Sequence, residues 1–260
     1  MNVKACVFTD RGKVRRVNQD AAMIKVAATR RHGRISFAVV CDGMGGLSKG
    51  EVASCKAVRA LENWFCEELP LMQNMNEEKL WDTAETSLRR LVAKISGEIR
   101  RYGKHRGINL GTTLTALLQI GHRYLAFNVG DSRLYVIDRA SARAITRDQS
   151  VIQDKLDRGL LRPEDISSDP ERNVLLQSVG TAGGVEPQVT RGEFNGDVTV
   201  VACSDGFWRT LDTSELHDKL CPQMCVTPED MLEECRKLAQ TAWSRKEEDN
   251  ISVAAMCLEY

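Results

Sequence analysis

VVCDGMGG (residues 39–46) ends an apolar, β-branched run with an aspartate and a cluster of glycines. The run reads as a buried strand, and the glycines after it as a tight turn or a close approach of the backbone to something else. Asp42 thus stands at a strand end, where a charge is unfavourable unless a partner compensates it. Three further aspartates sit in similar short contexts: Asp20 in TDRGKVRRVNQDA (9–21), Asp205 in VVACSDGFW (200–208) and Asp249 in EEDNISV (247–253). Three of the four adjoin an apolar run, so a fold can bring them together. Any one alone could simply cap a turn. Converging carboxylates repel one another, and a divalent cation relieves that repulsion. An all-oxygen set favours a hard ion, Mg²⁺ or Mn²⁺, over zinc or copper.

Outward from these positions, short apolar runs dominate, at 3–8, 22–27, 35–41, 112–120, 123–129, 132–138, 188–194, 197–203 and 251–258. Several alternate with period two, as half-buried strands do, and NVGDS (128–132) joins two of them as a hairpin. Helical spacing of apolar residues predicts helices over 50–69, 77–102 and 228–243. Strands outnumber helices, and the helices come in consecutive pairs instead of alternating with strands. That argues for an α+β protein with helices covering sheets and against a doubly wound sheet. With no repeat or linker, residues 1–260 read as one domain. The weakly apolar, Gly- and Pro-punctuated stretch 148–172 reads as a short-helix flap that could shape a site.

Composition narrows the partners. Lysine plus arginine and aspartate plus glutamate number 36 each among 260 residues, and 28% of the residues are charged. No basic block calls for nucleic acid or an anionic membrane. The densest basic run, Arg30 to Arg34, reads as a hairpin loop. There is neither a stretch of membrane-spanning length nor a signal-peptide pattern. Nine scattered cysteines, several within apolar runs, suit buried thiols in a reducing cytoplasm. Cys221 and Cys225 have the spacing of half a zinc site, but no second pair follows.

Seven motifs carry a resemblance: TDRGKVRRVNQD (9–20), DGMGG (42–46) with GEVAS (50–54), GTT (111–113), NVGDSR (128–133), NVLLQSVG (173–180), SDGFW (204–208) and DN (249–250). In this order they resemble the bacterial branch of the protein phosphatase 2C family, metal-dependent phosphatases of phosphoserine and phosphothreonine in proteins. The resemblance implies a four-layer α-β-β-α sandwich with two central antiparallel sheets and a dinuclear site at one end. It implies that Asp42 bridges two Mn²⁺ or Mg²⁺ ions, that Asp205 and Asp249 hold the first, and that the Gly43 carbonyl holds the second. Asp20 would act on the second through water, and a water shared by both ions would be the nucleophile. Arg15 matches the phosphate-binding arginine, whereas its neighbour Arg16 reads as a solvated charge. Asp131 matches a third-ion position shared with Asp205. The partners implied are phosphorylated proteins and a Ser/Thr kinase encoded elsewhere, with a monomer as the default.

The chain departs from the common pattern at three places. Arg209 stands where many members carry an aspartate four residues after the SDG aspartate, which would weaken a third ion or alter the flap. Met44 stands where the eukaryotic branch often has a histidine, so the leaving-group proton must come from water or elsewhere. Gln149 stands where an Asp-His-Ser pattern is frequent. Two other functions compete. GLSKG (46–50) spells the nucleophile elbow of serine hydrolases with Ser48, and His217 falls late enough to complete such a triad. The elbow, however, needs its serine directly at a strand end, and Asp42 to Gly46 intervene. A phosphoprotein-binding regulator of the same fold would usually have lost metal-site aspartates, and all four survive here.

Overall fold

The computed structural model describes residues 1–44 and 49–260. One sheet runs in the order β1 (Asn2–Asp10), β11 (Ile251–Glu259), β10 (Val198–Cys203), β7 (Arg133–Ile137) and β8 (Ala142–Ala144). The other runs β2 (Asp20–Thr29), β3 (Gly33–Met44), β5 (Leu114–Ile120), β6 (Arg123–Val129) and β9 (Gln188–Glu193), with the two-residue β4 (Gly111–Thr112) on the end of β3. The strand pairings are antiparallel. Each expected strand is present, and residues 30–32 of the basic run form the turn between β2 and β3, with Gly33 and Arg34 opening β3. Among the described residues only β8, short and largely exposed, has no counterpart among the expected runs.

The helices are α1 (Gly50–Asn63), α2 (Leu69–Met72), α3 (Glu77–Arg106), α4 (Val151–Asp157), α5 (Asp205–Trp208), α6 (Thr213–Leu220) and α7 (Pro228–Ser244). A widened π turn at Trp64–Glu68 carries α1 into α2. The Asn76 side chain accepts from the Lys79 N–H at the start of α3, and Gly107 ends the helix in the left-handed region.

Alternation along β3 sets the layers. Ile35, Phe37, Val39 and Cys41 pack with α1 and α3, whereas Ala38 and Val40 face the other sheet beside Val200, Ala202 and Met256. On the far side, Val201, Cys203, Val253 and Ala255 pack under Leu216 of α6 and Met231 and Cys235 of α7. The result is the four-layer α-β-β-α sandwich. All nine cysteines are free thiols, six of them buried. Among the described residues, no helix is long and apolar enough to cross a membrane.

Candidate functional site

Antiparallel register gathers the aspartates at one end of the sandwich. Asp20 opens β2 directly opposite Asp42 near the end of β3. Cys203, just before Asp205, pairs with Val253 of β11 and with Arg133 of β7. Asp131 precedes β7 and Asp249 precedes β11, so both lie at this end too.

Backbone bonds hold Asp42 independently of its charge. Its N–H donates to Thr113 Oγ1 at 2.9 Å, and its carbonyl accepts from the Thr113 N–H at 2.8 Å and from Thr112 Oγ1 at 2.9 Å. Thr113 Oγ1 also lies 2.8 Å from Ser132 Oγ, tying Asp42 to the turn that carries Asp131. Gly43 and Gly50 stack backbone on backbone, and a Cβ on either would collide with the carbonyl of the other. Gly43 therefore admits no side chain where α1 begins. The other members of DGMGG, Gly45 and Gly46, lie outside the described residues.

Asn250 is the tie between the Asp249 turn and the segment carrying Arg15. Its Nδ2 donates to the Arg11 and Val17 carbonyls at 2.8 and 3.1 Å, and its Oδ1 accepts from the Gln19 N–H at 2.9 Å. Three such bonds contribute on the order of 3 kcal/mol. Asn250→Ala is expected to lower unfolding stability by about that amount, read from urea denaturation. A loss below about 0.5 kcal/mol would mean that the segment is held by other contacts.

The electrostatics of this end are unfavourable without a cation. Burial, followed by the charges of Asp20, Asp205, Asp131 and Asp249, pushes the Asp42 carboxyl well above the usual range. Burial likewise pushes Asp20 up to about 7 and Asp131 up to about 8. Near Asp20 the hydroxyls of Ser252 and Ser204 oppose the rise only in part, being engaged with Thr9 Oγ1 and the Ser252 carbonyl. Burial raises Asp205 as well, against the pull of Arg209. Both carboxylate oxygens of Asp20 and Oδ1 of Asp205 are buried and accept no hydrogen bond. Unmatched buried acceptors on charged groups are strongly unfavourable, and a hard cation is the partner that suits oxygen donors. The donor set therefore fits divalent ions. Among the described residues, though, no three acidic, histidine or cysteine side chains close into a ready ligand set.

Two guanidiniums occupy the carboxylates instead. Arg15 grips Asp249 with both prongs, Nε to Oδ1 at 3.0 Å and Nη2 to Oδ2 at 2.8 Å, while its own side chain is 54% exposed. Arg16 is exposed, as a solvated charge would be. Arg209 bonds Asp205 Oδ2 and has Nη1 3.9 Å from Glu247 Oε1. Glu247 escaped the sequence reading because EED (247–249) looks like a solvated acidic run. It is buried, and its Oε1 accepts from the N–H groups of Glu248 and Asp249 at 2.9 and 3.0 Å, shaping the turn. Thr112, Thr113 and Asn250 belong to the GTT and DN motifs, but their bonding roles emerge only from the pairing of distant segments.

Beside the carboxylates lies a cavity of about 700 Å³. Arg15, Asp131 and Arg209 line one wall, and Ile152, Leu156 and Ile166 line the other. The second wall comes from 148–172, which contains α4 and a 3₁₀ turn at Pro163–Ser168. Arg133 anchors its base by gripping Asp148 at 2.8 and 2.9 Å while stacking 3.3 Å over the Trp208 ring. The Trp208 indole N–H in turn donates to the Asp131 carbonyl at 3.0 Å.

The serine-hydrolase constellation fares differently. Ser48 lies outside the described residues. His217 lies 3.3 Å from the Arg139 carbonyl, beyond the far end of β7, whereas Asp131 precedes its start. Five strand residues, roughly 17 Å, separate those ends.

Known proteins sharpen the picture. The protein phosphatase 2C family model matches residues 11–241. A serine/threonine phosphatase of Listeria monocytogenes is 30% identical over 94% of this chain and 92% of its own length. A protein phosphatase of Streptococcus pneumoniae is 28% identical over 97% of this chain and 96% of its own. The solved serine/threonine phosphatase of Staphylococcus aureus superposes with a TM-score of 0.82 at 26% identity, covering 100% of this chain and 96% of that one.

Proposed function

Because this chain belongs to the protein phosphatase 2C family, we propose that its aspartate cluster holds two divalent cations, Mn²⁺ or Mg²⁺, at which phosphoserine and phosphothreonine in proteins are hydrolysed. The chain is a protein-serine/threonine phosphatase, and the specific proposals concern its site, its ions and its partners. The observation that carries the site is the set of buried, unpartnered carboxylate oxygens on Asp20 and Asp205 next to Asp42. Asp42 would bridge the ions, Asp205 and Asp249 would hold one, and the Gly43 carbonyl with water on Asp20 would hold the other. When bound, the cations supply an acidified water and offset charge on the phosphoryl oxygens.

The residues themselves do the positioning. Thr112 and Thr113 fix the Asp42 backbone, so its carboxylate stays aimed while its partners change. Arg15 is the exposed, exchangeable member of the pair with Asp249. Its planar fork matches two phosphoryl oxygens as well as it matches a carboxylate, so substrate phosphate can take over its two bonds. The apolar wall of 148–172 gives a phosphorylated peptide segment a surface beside the carboxylates. Among the described residues no histidine lines this cavity, and Met44 offers no proton, so the proton for the departing serine or threonine oxygen comes from solvent or from another group at the site. Residues 1–260 act as a single domain, a cytoplasmic monomer that opposes a Ser/Thr kinase.

Phosphate release from a phosphothreonine peptide, with Mn²⁺ titrated into chelator-stripped protein, tests the proposal. Activity that rises from near zero with Mn²⁺ is expected. A folded protein that binds phosphopeptide but never turns it over would instead be a binding regulator. Arg15→Ala is expected to raise KM by about 10- to 100-fold, the worth of a charge-assisted bidentate contact, with a smaller fall in kcat. An unchanged KM would place the phosphate away from Arg15.

A further inference from the structure

Arg209 follows Asp205 by four residues on the helical turn of α5, so whatever stands at 209 projects over the same face as Asp205. The Arg209 N–H donates to the Asp205 carbonyl at 2.9 Å, which fixes that geometry in the backbone. Its guanidinium bonds Asp205 Oδ2 and comes within 3.9 Å of buried Glu247, and Asp131 and Asp249 are close enough to act on its charge. Asp205 is buried with Oδ1 still unpartnered. The arginine therefore takes one oxygen of this carboxylate and leaves the other without a partner.

We propose that Arg209 is a built-in cation that takes the place of a divalent ion between Asp131, Asp205 and Glu247, limiting the centre to two ions. This rests on the metal-site reading above and goes beyond it. The guanidinium and a divalent ion compete for the same ground sterically. Asp131 accordingly serves as a counter-charge to Arg209 and not as a metal ligand, which departs from the role that the family resemblance gives it.

Equilibrium dialysis against saturating Mn²⁺, counting ions per protein, reads this without any assay of turnover. Wild type is expected to hold two. Arg209→Gln removes the charge with little change of length, and Arg209→Asp adds a ligand; both are expected to hold one ion more, and Arg209→Lys to stay at two. Circular dichroism identifies any variant that has lost its fold, and either of the first two suffices for the count. Three ions in wild type, or two in either of the first two variants when folded, would overturn the proposal and leave the metal-site reading standing. No Mn²⁺ bound to folded wild type would overturn both.

Discussion

Asp42→Asn is expected to lower kcat on a phosphothreonine peptide by about 10³-fold or more at saturating Mn²⁺, with the fold intact. Each roughly 1.4 kcal/mol of lost transition-state stabilisation is a factor of ten, and ions held at a reacting phosphoryl group contribute several kcal/mol. Asparagine keeps the shape of aspartate but not the charge that would bind two cations at once. The fold should survive because Thr112 and Thr113 grip the backbone of residue 42 and leave its carboxylate free. Steady-state kinetics beside a thermal melt separates the two effects. A kcat within about fivefold of wild type, with Mn²⁺ dependence retained, would remove Asp42 from the metal centre, since a bridging charge cannot be worth less than about 1 kcal/mol there.

The layers were legible because the alternation in β3 is clean: Phe37, Val39 and Cys41 go to one face and Ala38 and Val40 to the other. The long stripe from Leu80 to Ile99 was equally plain, since thirty residues of α3 repeat one apolar face. What escaped was short. The strand β8 consists of Ala142–Ala144, too few residues to display a period. The helix α6 has eight residues, and its one signal is local: Asp212 and Glu215 form a capping box, a pattern that turn-rich sequence easily hides. The aspartates of the site could be picked out individually because each sits in a short turn-like context and three of the four adjoin an apolar run. Their mutual arrangement could not, because it depends on which strand ends meet. Glu247 shows the difference most clearly. Sequence gives it the look of a solvated charge, and only packing against the Asp249 turn and Arg209 buries it.

The same charges that would bind cations should destabilise the protein when cations are removed, and pH sets by how much. Burial holds the folded-state pKa of Asp20 at about 7 and that of Asp131 at about 8, against an ordinary 3.8. Between those limits the folded state binds more protons than the unfolded chain, so stability falls as pH rises. The penalty is absent below about pH 4, where both states are protonated, and complete above about pH 8, where both are ionised. Because the groups share one field, their penalties do not simply add, and the loss is on the order of a few kcal/mol. Urea denaturation of chelator-stripped protein should therefore give a lower midpoint at about pH 8 than at about pH 5. Mn²⁺ binds the folded state and needs ionised carboxylates, so it should raise the midpoint strongly at the higher pH and little at the lower. Asp42→Asn should act in the opposite sense, stabilising the metal-free protein at about pH 8 while forfeiting most of the gain from Mn²⁺. Equal gains from Mn²⁺ at both pH values would mean that it binds elsewhere, on groups already ionised in acid. No pH dependence in the stripped protein would mean that Arg15 and Arg209 alone suffice to neutralise the cluster.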